Sequence, residues 1–483
     1  MILPIDSGRY GSPEMRRIFD EENRLQRMLD VEAALARAQA NVGDIPASDA
    51  AAISKKASTR TVRLERVKQI EARMKHETAA VVEALSEACG RSGRYVHLGA
   101  TSSDILDTAT ALQIRDAMQL TMKRLDQLQQ TLLKQVEKYS ETICVGRTHG
   151  QHALPITLGL KFAVWLREVS RHITRLRECT PRVIVGKLTG AVGTMAGLGD
   201  HALEVQKLVM EDLGLGTAEV TTQILQRDRY AELICALANL ASSIDKFSTE
   251  IRNLQRTEID EAREPFDVKT QIGSSSMPHK MNPRISENIS SVAKIVRSLV
   301  QPSLESVVTW HERDLTQSGA ERFTIPEAFI LMDHILMSIS HVLSGLQVLP
   351  DRMERNLDLT GGMELSEALV SVLVKKGMGR PRAFKLVRSI AVESITHEKP
   401  FPDLVAENAE ITRLLSPKEL ESVFDPQNYL GKTRDLIRGA VEKTQQERRA
   451  IGLTQPSKKL KSHPREPNAS RSAAKAAARS IYS

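Results

Sequence analysis

Long helical patterns dominate the middle of the chain. Apolar residues recur every three or four positions in Ile114–Val136, Leu160–Leu176 and Tyr230–Leu254, which is the spacing of one face of an α-helix. The stretch from Gln226 to Glu264 contains neither Gly nor Pro, so we expect a single helix of very roughly 60 Å there. Rods of that length with an apolar face usually pack in bundles, often across subunits.

Several interruptions divide these helices. A fourth apolar pattern runs from Ile289 to Leu299 and continues after Pro302, where a kink is predicted. The glycine-rich segments Gly186–Gly199 and Gly273–Pro283 are predicted loops. The first of them does not match the glycine pattern of a nucleoside triphosphate loop, so no such site is expected. After Leu349-Pro350 the helical patterns become shorter.

These interruptions predict an all-α protein with three domains and a tail. Residues 1–110 are the predicted N-terminal helical domain, and residues 111–348 are the central long-helix bundle. Residues 349–453 form the predicted C-terminal helical domain. Residues 454–483 contain few large apolar side chains, and such a segment cannot bury enough surface to fold alone.

The composition fits a soluble globular protein, with 41% hydrophobic and 26% charged residues. No apolar run approaches the roughly 18 residues of a membrane span, and Met1–Asp6 lacks the charged and apolar regions of a secretory signal. We therefore expect a cytoplasmic protein with no membrane contact. The four cysteines are scattered, which favours reduced thiols over disulfides or zinc; they are Cys89, Cys144, Cys179 and Cys235.

The net charge of +7 belongs mainly to the tail. Thr454–Ser483 holds seven basic residues and one acidic residue, so +6 of the net charge lies there and the body is nearly neutral. Nucleic-acid binding by the whole protein is therefore not expected, beyond weak contacts of the tail. A solvated, disordered tail is the simpler expectation.

Three short polar segments carry the candidate chemistry: His97–Asp104, Gly146–His152 and Gly273–Pro283. Each also has a plain structural interpretation. Ser102 or Ser103 could simply cap a helix, two histidines at a helix start could be core hydrogen-bonding groups, and the third segment could be a surface loop. However, the third segment offers a hydroxyl, a cation and an amide just before a helix N-terminus, which suits a bound anion.

The third segment resembles the loop Gly-Ser-Ser-x-Met-Pro-x-Lys-x-Asn-Pro of the fumarase/aspartase superfamily at every fixed position. The other two segments resemble the other conserved blocks of that superfamily, in the same order. Within the superfamily, His279, the block Trp310–Arg322, Arg9-Tyr10, Thr222–Leu225 and Asn356–Thr360 resemble the adenylosuccinate lyase branch. The resemblance covers roughly residues 1–450 and implies a fumarase-type fold whose central helix bundle forms the core of a homotetramer.

This resemblance implies β-elimination of fumarate from adenylosuccinate, which gives AMP, and from the succinylated aminoimidazole carboxamide ribotide of purine biosynthesis. It implies Ser274 as the general base, His149 as the general acid, Glu287 as the partner of His149, and His76 as an assisting residue. The implied substrate contacts are Arg9, Tyr10, Lys75, Glu77, Thr101, Ser102, Gln223, Ser275, Lys280, Asn282, Arg313, Ser318 and Arg322. The small-molecule nucleotide is the expected ligand, each site is built from three subunits, and no metal or organic cofactor is expected.

The chain departs from the branch at two places. The branch's Arg-His-Asp appears as Lys75-His76-Glu77, and Gly319 replaces the second serine of Ser-Ser-x-Glu-Arg. One alternative is a carboxymuconate-type cycloisomerase of the same superfamily, which would act on a dicarboxylate without phosphate. Another is a non-enzymatic role such as that of the recruited lens proteins. The Trp310–Arg322 block disfavours the first, and intact Ser274, His149 and Lys280 disfavour the second.

Overall fold

The computed structural model describes residues 5–452 and is built almost entirely from helices. The N-terminal region contains five α-helices and a 3₁₀ helix: α1 (Pro13–Ile18), α2 (Glu21–Asn41), α3 (Ala47–Lys56), α4 (Leu64–Met74), α5 (Glu77–Cys89) and the 3₁₀ helix Gly90–Tyr95. Local capping fixes several of their ends. Asp20, for example, precedes α2, and its carboxylate accepts the backbone N–H of Asn23 at 2.7 Å, which satisfies an otherwise unpaired donor of the first turn.

The central region contains the long helices and three short strand pairs. Its elements are α6 (Ser102–Lys138), β1 (Ile143–Thr148), β2 (Gln151–Thr157), α7 (Leu158–Val183), β3 (Val185–Gly186), the 3₁₀ helix Ala196–Leu198, α8 (Ala202–Leu213), β4 (Gly216–Thr217), α9 (Asp228–Leu254), β5 (Ala262–Arg263), α10 (Arg284–Ser298), α11 (Val300–Glu305), α12 (Thr316–Ser344) and β6 (Gln347–Val348). The pairs β1–β2 and β5–β6 are antiparallel, and β3–β4 is parallel.

The C-terminal region returns to short helices. Its elements are α13 (Pro350–Asp358), the 3₁₀ helix Met363–Leu365, α14 (Ser366–Lys375), α15 (Arg380–His397), α16 (Phe401–Glu407), α17 (Ala409–Thr412), α18 (Pro417–Val423), the 3₁₀ helix Pro426–Tyr429 and α19 (Thr433–Ala450). The last helix packs back on the central bundle, where Arg167 on α7 pairs with Glu447 at 2.7 Å.

The largest apolar core lies among α6, α7, α9, α10 and α12. The predicted apolar face of α9 is entirely inside it, since Leu233, Leu237, Leu240 and Ile244 are fully buried. A second core joins α2–α5 to the first turns of α6, and a third joins α14–α18. Among the described residues, one helix, α12, is long and apolar enough to cross a membrane, but 72% of its most apolar stretch is buried inside the protein. It is therefore the core helix of this bundle.

Two helix predictions need correction. The rod expected from Gln226 to Glu264 is α9, which ends at Leu254 and is about 40 Å long. The chain turns directly after it through residues 255–260, where Asp260 adopts a left-handed backbone conformation, and Ala262–Arg263 then pairs with β6. The expected kink at Pro302 is a break at Leu299 instead. Pro302 lies in the first turn of α11, where its missing N–H costs nothing, and Val308 lies beyond that helix and is exposed.

Candidate active site

The first group of site residues lies where the start of α6 meets the segments before α9 and α12. Thr101 is the N-cap of α6, in place of the Ser102 or Ser103 considered above, and Ser102 occupies the first turn. The Thr101 Oγ1 accepts a hydrogen bond from Gln223 Nε2 at 3.4 Å, and Gln223 Oε1 accepts one from Arg313 Nη1 at 2.9 Å. Three predicted substrate contacts from distant parts of the sequence therefore form one hydrogen-bonded chain.

Two arginines approach Glu77 in the first turn of α5. The Glu77 carboxylate lies 3.1 Å from Arg24 Nη2 and 3.2 Å from Arg322 Nη2. His76 is the N-cap of α5, and its Nδ1 accepts a backbone N–H of the first turn at 3.3 Å. Lys75 ends α4 with φ of 55°, and both Lys75 and His76 are exposed. The segment thus presents two basic side chains beside a carboxylate that already holds two cations.

A cavity of about 350 Å³ opens beside these arginines. Its wall includes Arg313, Ser318 and Arg322, three of the five residues for which the resemblance implies contacts with the nucleotide, mainly with its phosphate. The other two are Arg9 and Tyr10. Gln317 also lines it, is almost fully buried, and has an Oε1 without a hydrogen-bond partner among the described residues. Guanidinium groups suit phosphate because they donate paired hydrogen bonds to its oxygens, so this cavity can hold an anionic group.

A buried ion pair fixes the start of α6, the helix whose first turns line this cavity. Asp104 and Lys187 have no exposed side-chain surface and contact each other directly. The Asp104 carboxylate also accepts the backbone N–H groups of Thr101 at 2.9 Å, Thr189 at 2.9 Å and Gly190 at 3.1 Å. Because one carboxylate holds both the Thr101 cap and the loop after β3, the position of Thr101 is set by the interior of the protein.

A second buried ionic cluster was missed by the sequence analysis. Arg227 lies 2.9 Å from Asp107 on α6 and 2.6 Å from Glu321 on α12, and all three line the 350 Å³ cavity. Burial raises the pKa of Glu321, although Arg227 opposes that shift. The only sequence signal was the spacing of Asp104 and Asp107, which places both carboxylates on one face of α6. The cluster locks together the three helices that surround the cavity.

The second group is the loop Gly273–Pro283. The Ser274 Oγ accepts the backbone N–H of Met277 at 3.1 Å and that of Ser276 at 3.4 Å. Asn282 Nδ2 closes the loop by donating to Gly273 O at 3.0 Å. Any Cβ at position 273 would lie only 2.0 Å from the Lys280 carbonyl oxygen, so glycine is required there. Two backbone N–H groups of the loop therefore donate to the Ser274 hydroxyl, for which we predict the role of general base.

The loop leads directly into α10, whose first turn is capped from below. Glu264 is buried, and its carboxylate accepts the N–H groups of Ile285 at 3.0 Å and Ser286 at 2.9 Å. Burial raises the pKa of Glu264, while these hydrogen bonds oppose the shift. Glu287 lies in the same first turn but is exposed to solvent. Glu264 therefore fixes the end of the loop, while the Glu287 side chain stays exposed.

A wide groove of about 830 Å³ runs along this loop. Lys280, Asn282 and Glu287 line it, together with several arginines from α9 and α13 and their neighbours: Arg252, Arg256, Arg263 and Arg352. Asp260 pairs with two of these arginines, at 2.6 Å for Arg263 and 3.5 Å for Arg352. The remaining excess of positive charge makes the groove suitable for carboxylates. Ser275 lies in the same loop and is exposed.

His149 lies at the tip of a β-hairpin, so the expected helix start is wrong. Thr148 pairs with Gln151, and the two-residue loop His149-Gly150 has φ values of 54° and 75°. This conformation matches the right-handed twist of the strands and favours glycine or similar turn residues. His149 is exposed, and among residues 5–452 of one chain no hydrogen bond or ion pair involves its side chain. The hairpin projects this imidazole away from the core.

The base of the hairpin is anchored below His149. Arg147 lies 2.5 Å from Glu261, a buried carboxylate that also accepts Asn356 Nδ2 at 2.8 Å. His152 on β2 has a lowered pKa, mainly because of partial burial. Asn356 belongs to the segment Asn356–Thr360, which resembles the adenylosuccinate lyase branch. Its hydrogen bond to Glu261 shows that this segment helps to hold the base of the hairpin.

The N-terminal arm is the segment of residues 5–12 that precedes α1, and it places Arg9 and Tyr10 beside α12. The Tyr10 ring meets the ring of His334 edge to face, with centroids 4.9 Å apart. Arg9 is exposed, and neither residue is among those that line the 350 Å³ cavity. In a single chain, the described residues thus form separate groups around the first cavity, the loop, the hairpin and the arm. Within residues 5–452, no hydrogen bond or ion pair connects His149 to Ser274 or Glu287.

The described residues contain no group of three or more His, Cys, Asp or Glu side chains that could hold a metal ion. The groups assembled here are hydroxyl, imidazole, carboxylate and guanidinium side chains with oriented backbone amides. These are the groups required for proton transfer and for binding of anions.

Comparisons with known proteins agree with this geometry. The family described as "Lyase" matches residues 8–297, and "Adenylosuccinate lyase C-terminus" matches residues 362–440. Among solved structures, a 3-carboxy-cis,cis-muconate lactonizing enzyme from Pseudomonas putida has a TM-score of 0.85 at 36% identity, and covers 92% of this chain and 100% of its own. A fumarate lyase from Mesorhizobium sp. BNC1 has a TM-score of 0.83 at 34% identity, and covers 89% of this chain and 98% of its own.

Fold and site together define a lyase of the fumarase/aspartase class, and the predicted all-α fumarase-type fold is confirmed. An adenylosuccinate lyase from Pyrococcus horikoshii is 50% identical over 451 residues, which are 93% of this chain and 100% of the relative. One from Methanothermobacter thermautotrophicus is 48% identical over 438 residues, or 90% of this chain and 98% of the relative. The chain belongs to the adenylosuccinate lyase family.

Proposed function

We propose that this protein eliminates fumarate from adenylosuccinate, which gives AMP, and from the succinylated aminoimidazole carboxamide ribotide of purine biosynthesis. The observation that carries the proposal is the loop in which two backbone amides point at the Ser274 Oγ, in a chain that also has an arginine-lined cavity for a phosphate. An elimination needs the first feature, and a nucleotide substrate needs the second. Membership of the adenylosuccinate lyase family joins the two.

In this mechanism Ser274 removes a proton from the succinyl carbon next to a carboxylate. An isolated serine hydroxyl is too weak a base, so its alkoxide must be stabilised, and the amides of Ser276 and Met277 are already oriented to do this. Ser275, Lys280 and Asn282 hold the carboxylates of the fumaroyl part, on which negative charge builds up. The cationic groove along the loop supports this role for Lys280.

His149 then donates a proton to the departing nitrogen, and Glu287 keeps this imidazole charged and oriented. Both side chains are exposed, and within residues 5–452 of one chain no hydrogen bond or ion pair connects them, which supports a contact made across a subunit boundary. His76 assists at the nucleotide or the carboxylate. Thr101 and Ser102 complete the carboxylate site at the capped start of α6.

The nucleotide lies against the cavity near α12. Arg313, Ser318 and Arg322 bind its phosphate from the cavity wall, and Arg9 and Tyr10 approach from the N-terminal arm. Gln223 contacts the amide or carboxylate region, and Lys75 and Glu77 lie at the rim. Gln223 already joins Thr101 to Arg313, which supports a substrate that extends from the carboxylate site to the phosphate site.

The separation of the site groups supports a homotetramer in which three subunits supply each active site. Exposed apolar side chains beside α11 and α12, including Val308, Trp310 and Phe323, fit burial against other copies of the chain. We also propose a cytoplasmic location, because four free cysteines fit a reducing compartment. The basic tail 454–483 lies outside the described residues.

A spectrophotometric assay with adenylosuccinate tests the proposal directly. The expected result is release of AMP and fumarate, and the same preparation should cleave the succinylated ribotide. A carboxymuconate cycloisomerase is the alternative, because a solved lactonizing enzyme shares the fold at 36% identity. Purified protein that converts carboxymuconate but neither nucleotide would overturn the proposal in favour of that alternative.

A further inference from the structure

One face of α12 carries the N-terminal arm. Ile330, Asp333 and His334 lie three and four positions apart, so they share a side of the helix. Gly11 packs so closely on Ile330 that an added Cβ would lie 2.5 Å from its Cγ2. The backbone N–H of Ser12 donates to Asp333 Oδ2 at 2.8 Å. These contacts fix the backbone directly after the arm's Arg9 and Tyr10.

Asp333 is itself held rigidly. It has no exposed side-chain surface, and its second carboxylate oxygen lies 2.9 Å from Arg124 Nε on α6. Arg124 also reaches Glu14 in α1, at 3.1 Å. The arm is therefore held on α12 by the buried Asp333, and Arg124 of α6 links this carboxylate to the exposed Glu14 of α1.

His334 connects the arm to a different part of the site. Its ring contacts the Tyr10 ring edge to face, and its Nε2 donates to Asn288 Oδ1 at 2.8 Å. Asn288 directly follows Glu287 in α10, the helix that begins at the end of the Gly273–Pro283 loop. Burial lowers the pKa of His334 to about 4, so the ring is neutral near neutral pH and acts through shape and its hydrogen bond.

We propose that His334 is a positioning residue for nucleotide binding, which holds Tyr10 in register with the helix that carries Glu287. Asn288 is its anchor, and the Gly11–Ser12 contacts with α12 keep the arm in place. His334 itself touches no reacting atom. This inference rests on the proposed function, because it takes the nucleotide as the ligand of Arg9 and Tyr10.

The test uses His334→Phe in the full-length enzyme. Phenylalanine keeps a flat ring beside Tyr10 but cannot donate to Asn288. We expect KM for adenylosuccinate and Kd for AMP to rise about fivefold, with kcat within about twofold, since the contact acts on binding. Affinity for fumarate alone should not change. Asn288→Ala removes the same hydrogen bond from the other side and should raise KM about threefold.

His172→Phe is the matched control. His172 is also buried, its Nε2 lies 2.8 Å from Ser243 Oγ, and burial lowers its pKa to about 4. It lies on α7 and faces Ser243 of α9, and it lines neither the 350 Å³ cavity nor the 830 Å³ groove. Its loss should reduce thermal stability while KM stays unchanged. If His334→Phe and His172→Phe both leave KM unchanged, the inference is wrong.

The outcomes separate this inference from the proposed function. Wild-type protein that does not turn over adenylosuccinate would refute the function itself, whatever the variants do. Active wild-type protein with normal nucleotide binding in His334→Phe would refute only the positioning role. If His334→Phe fails to fold, Asn288→Ala decides the question, because a normal KM in that variant contradicts the proposed link.

Discussion

Replacement of Ser274 by alanine tests the proposed base, and the loop geometry indicates how much help the hydroxyl needs. An N–H group that donates to a charged oxygen contributes about 1.5–3 kcal/mol. The 3.1 Å contact from Met277 counts fully, whereas the 3.4 Å contact from Ser276 is long for such a bond. Together they stabilise an alkoxide by about 2–4 kcal/mol and so lower the pKa of the hydroxyl.

That shift is not sufficient by itself. A serine hydroxyl ordinarily ionises far above neutral pH, so the loop amides lower its pKa but still leave the neutral hydroxyl strongly favoured. The remaining stabilisation must come from a positive charge and from exclusion of water when substrate binds. Lys280 lies in the same loop and is exposed in the single chain, so it is available to supply this charge.

The expected result for Ser274→Ala is a loss of at least about 100-fold in kcat, the usual scale for loss of a general base, with KM changed by less than about threefold. Steady-state absorbance assays and direct binding of adenylosuccinate measure the two quantities separately. Ser276→Ala is the control, because it keeps the backbone N–H that points at Ser274. Near-normal turnover by Ser274→Ala would refute the reasoning and move the search for the base to Ser275 or Ser276.

Three further predictions follow from other parts of the structure. A mixture of His149→Ala and Ser274→Ala proteins should regain activity after subunit exchange, measured as turnover; proven exchange without recovery would mean that one chain builds each site. Lys187→Met should lower the free energy of unfolding in denaturant titrations by about 3–5 kcal/mol because it strands a buried carboxylate, whereas Lys161→Met, which breaks the half-exposed pair with Glu250, should cost about 1 kcal/mol or less. Deletion of residues 454–483 should leave KM, kcat and the thermal midpoint unchanged and weaken only salt-sensitive adhesion to polyanions; a several-fold rise in KM or a clear loss of thermal stability would contradict this.

The helices of the bundle could be predicted because their cores are periodic. Apolar residues three and four apart lie on one side of α6, α7 and α9, and burial follows that pattern. The length of α9 could not be read in the same way, because absence of Gly and Pro permits a helix without requiring one. Asp260 has a left-handed backbone conformation, and the carboxylates of Glu261 and Glu264 accept hydrogen bonds from distant segments. The end of α9 therefore depends on tertiary contacts, which the local sequence pattern does not show.

The hairpin at His149 shows a different limit. Residues 143–157 contain β-branched side chains on both sides of a His-Gly pair, a pattern that favours two strands with a two-residue turn. The two histidines alone do not distinguish a helix start from a turn, and only the His-Gly pair between the two segments indicates the hairpin. The Arg227 cluster was beyond sequence reasoning for another reason. Its partners Asp107 and Glu321 are 120 and 94 positions away, and no local pattern joins them.

One short segment supports two parts of the site that the chain otherwise keeps apart. Glu261 holds Arg147 at the base of the His149 hairpin, and Glu264, three residues later, caps the helix that follows the Ser274 loop. Because both carboxylates are buried and each accepts several hydrogen bonds, neither can shift without loss of several of them. The hairpin and the loop are thus fixed relative to one frame while His149 and Ser274 do not contact each other. A site shared between subunits requires that each chain hold its reactive groups in defined positions at the subunit interface. The anchoring of the hairpin base and of the end of the loop meets this requirement.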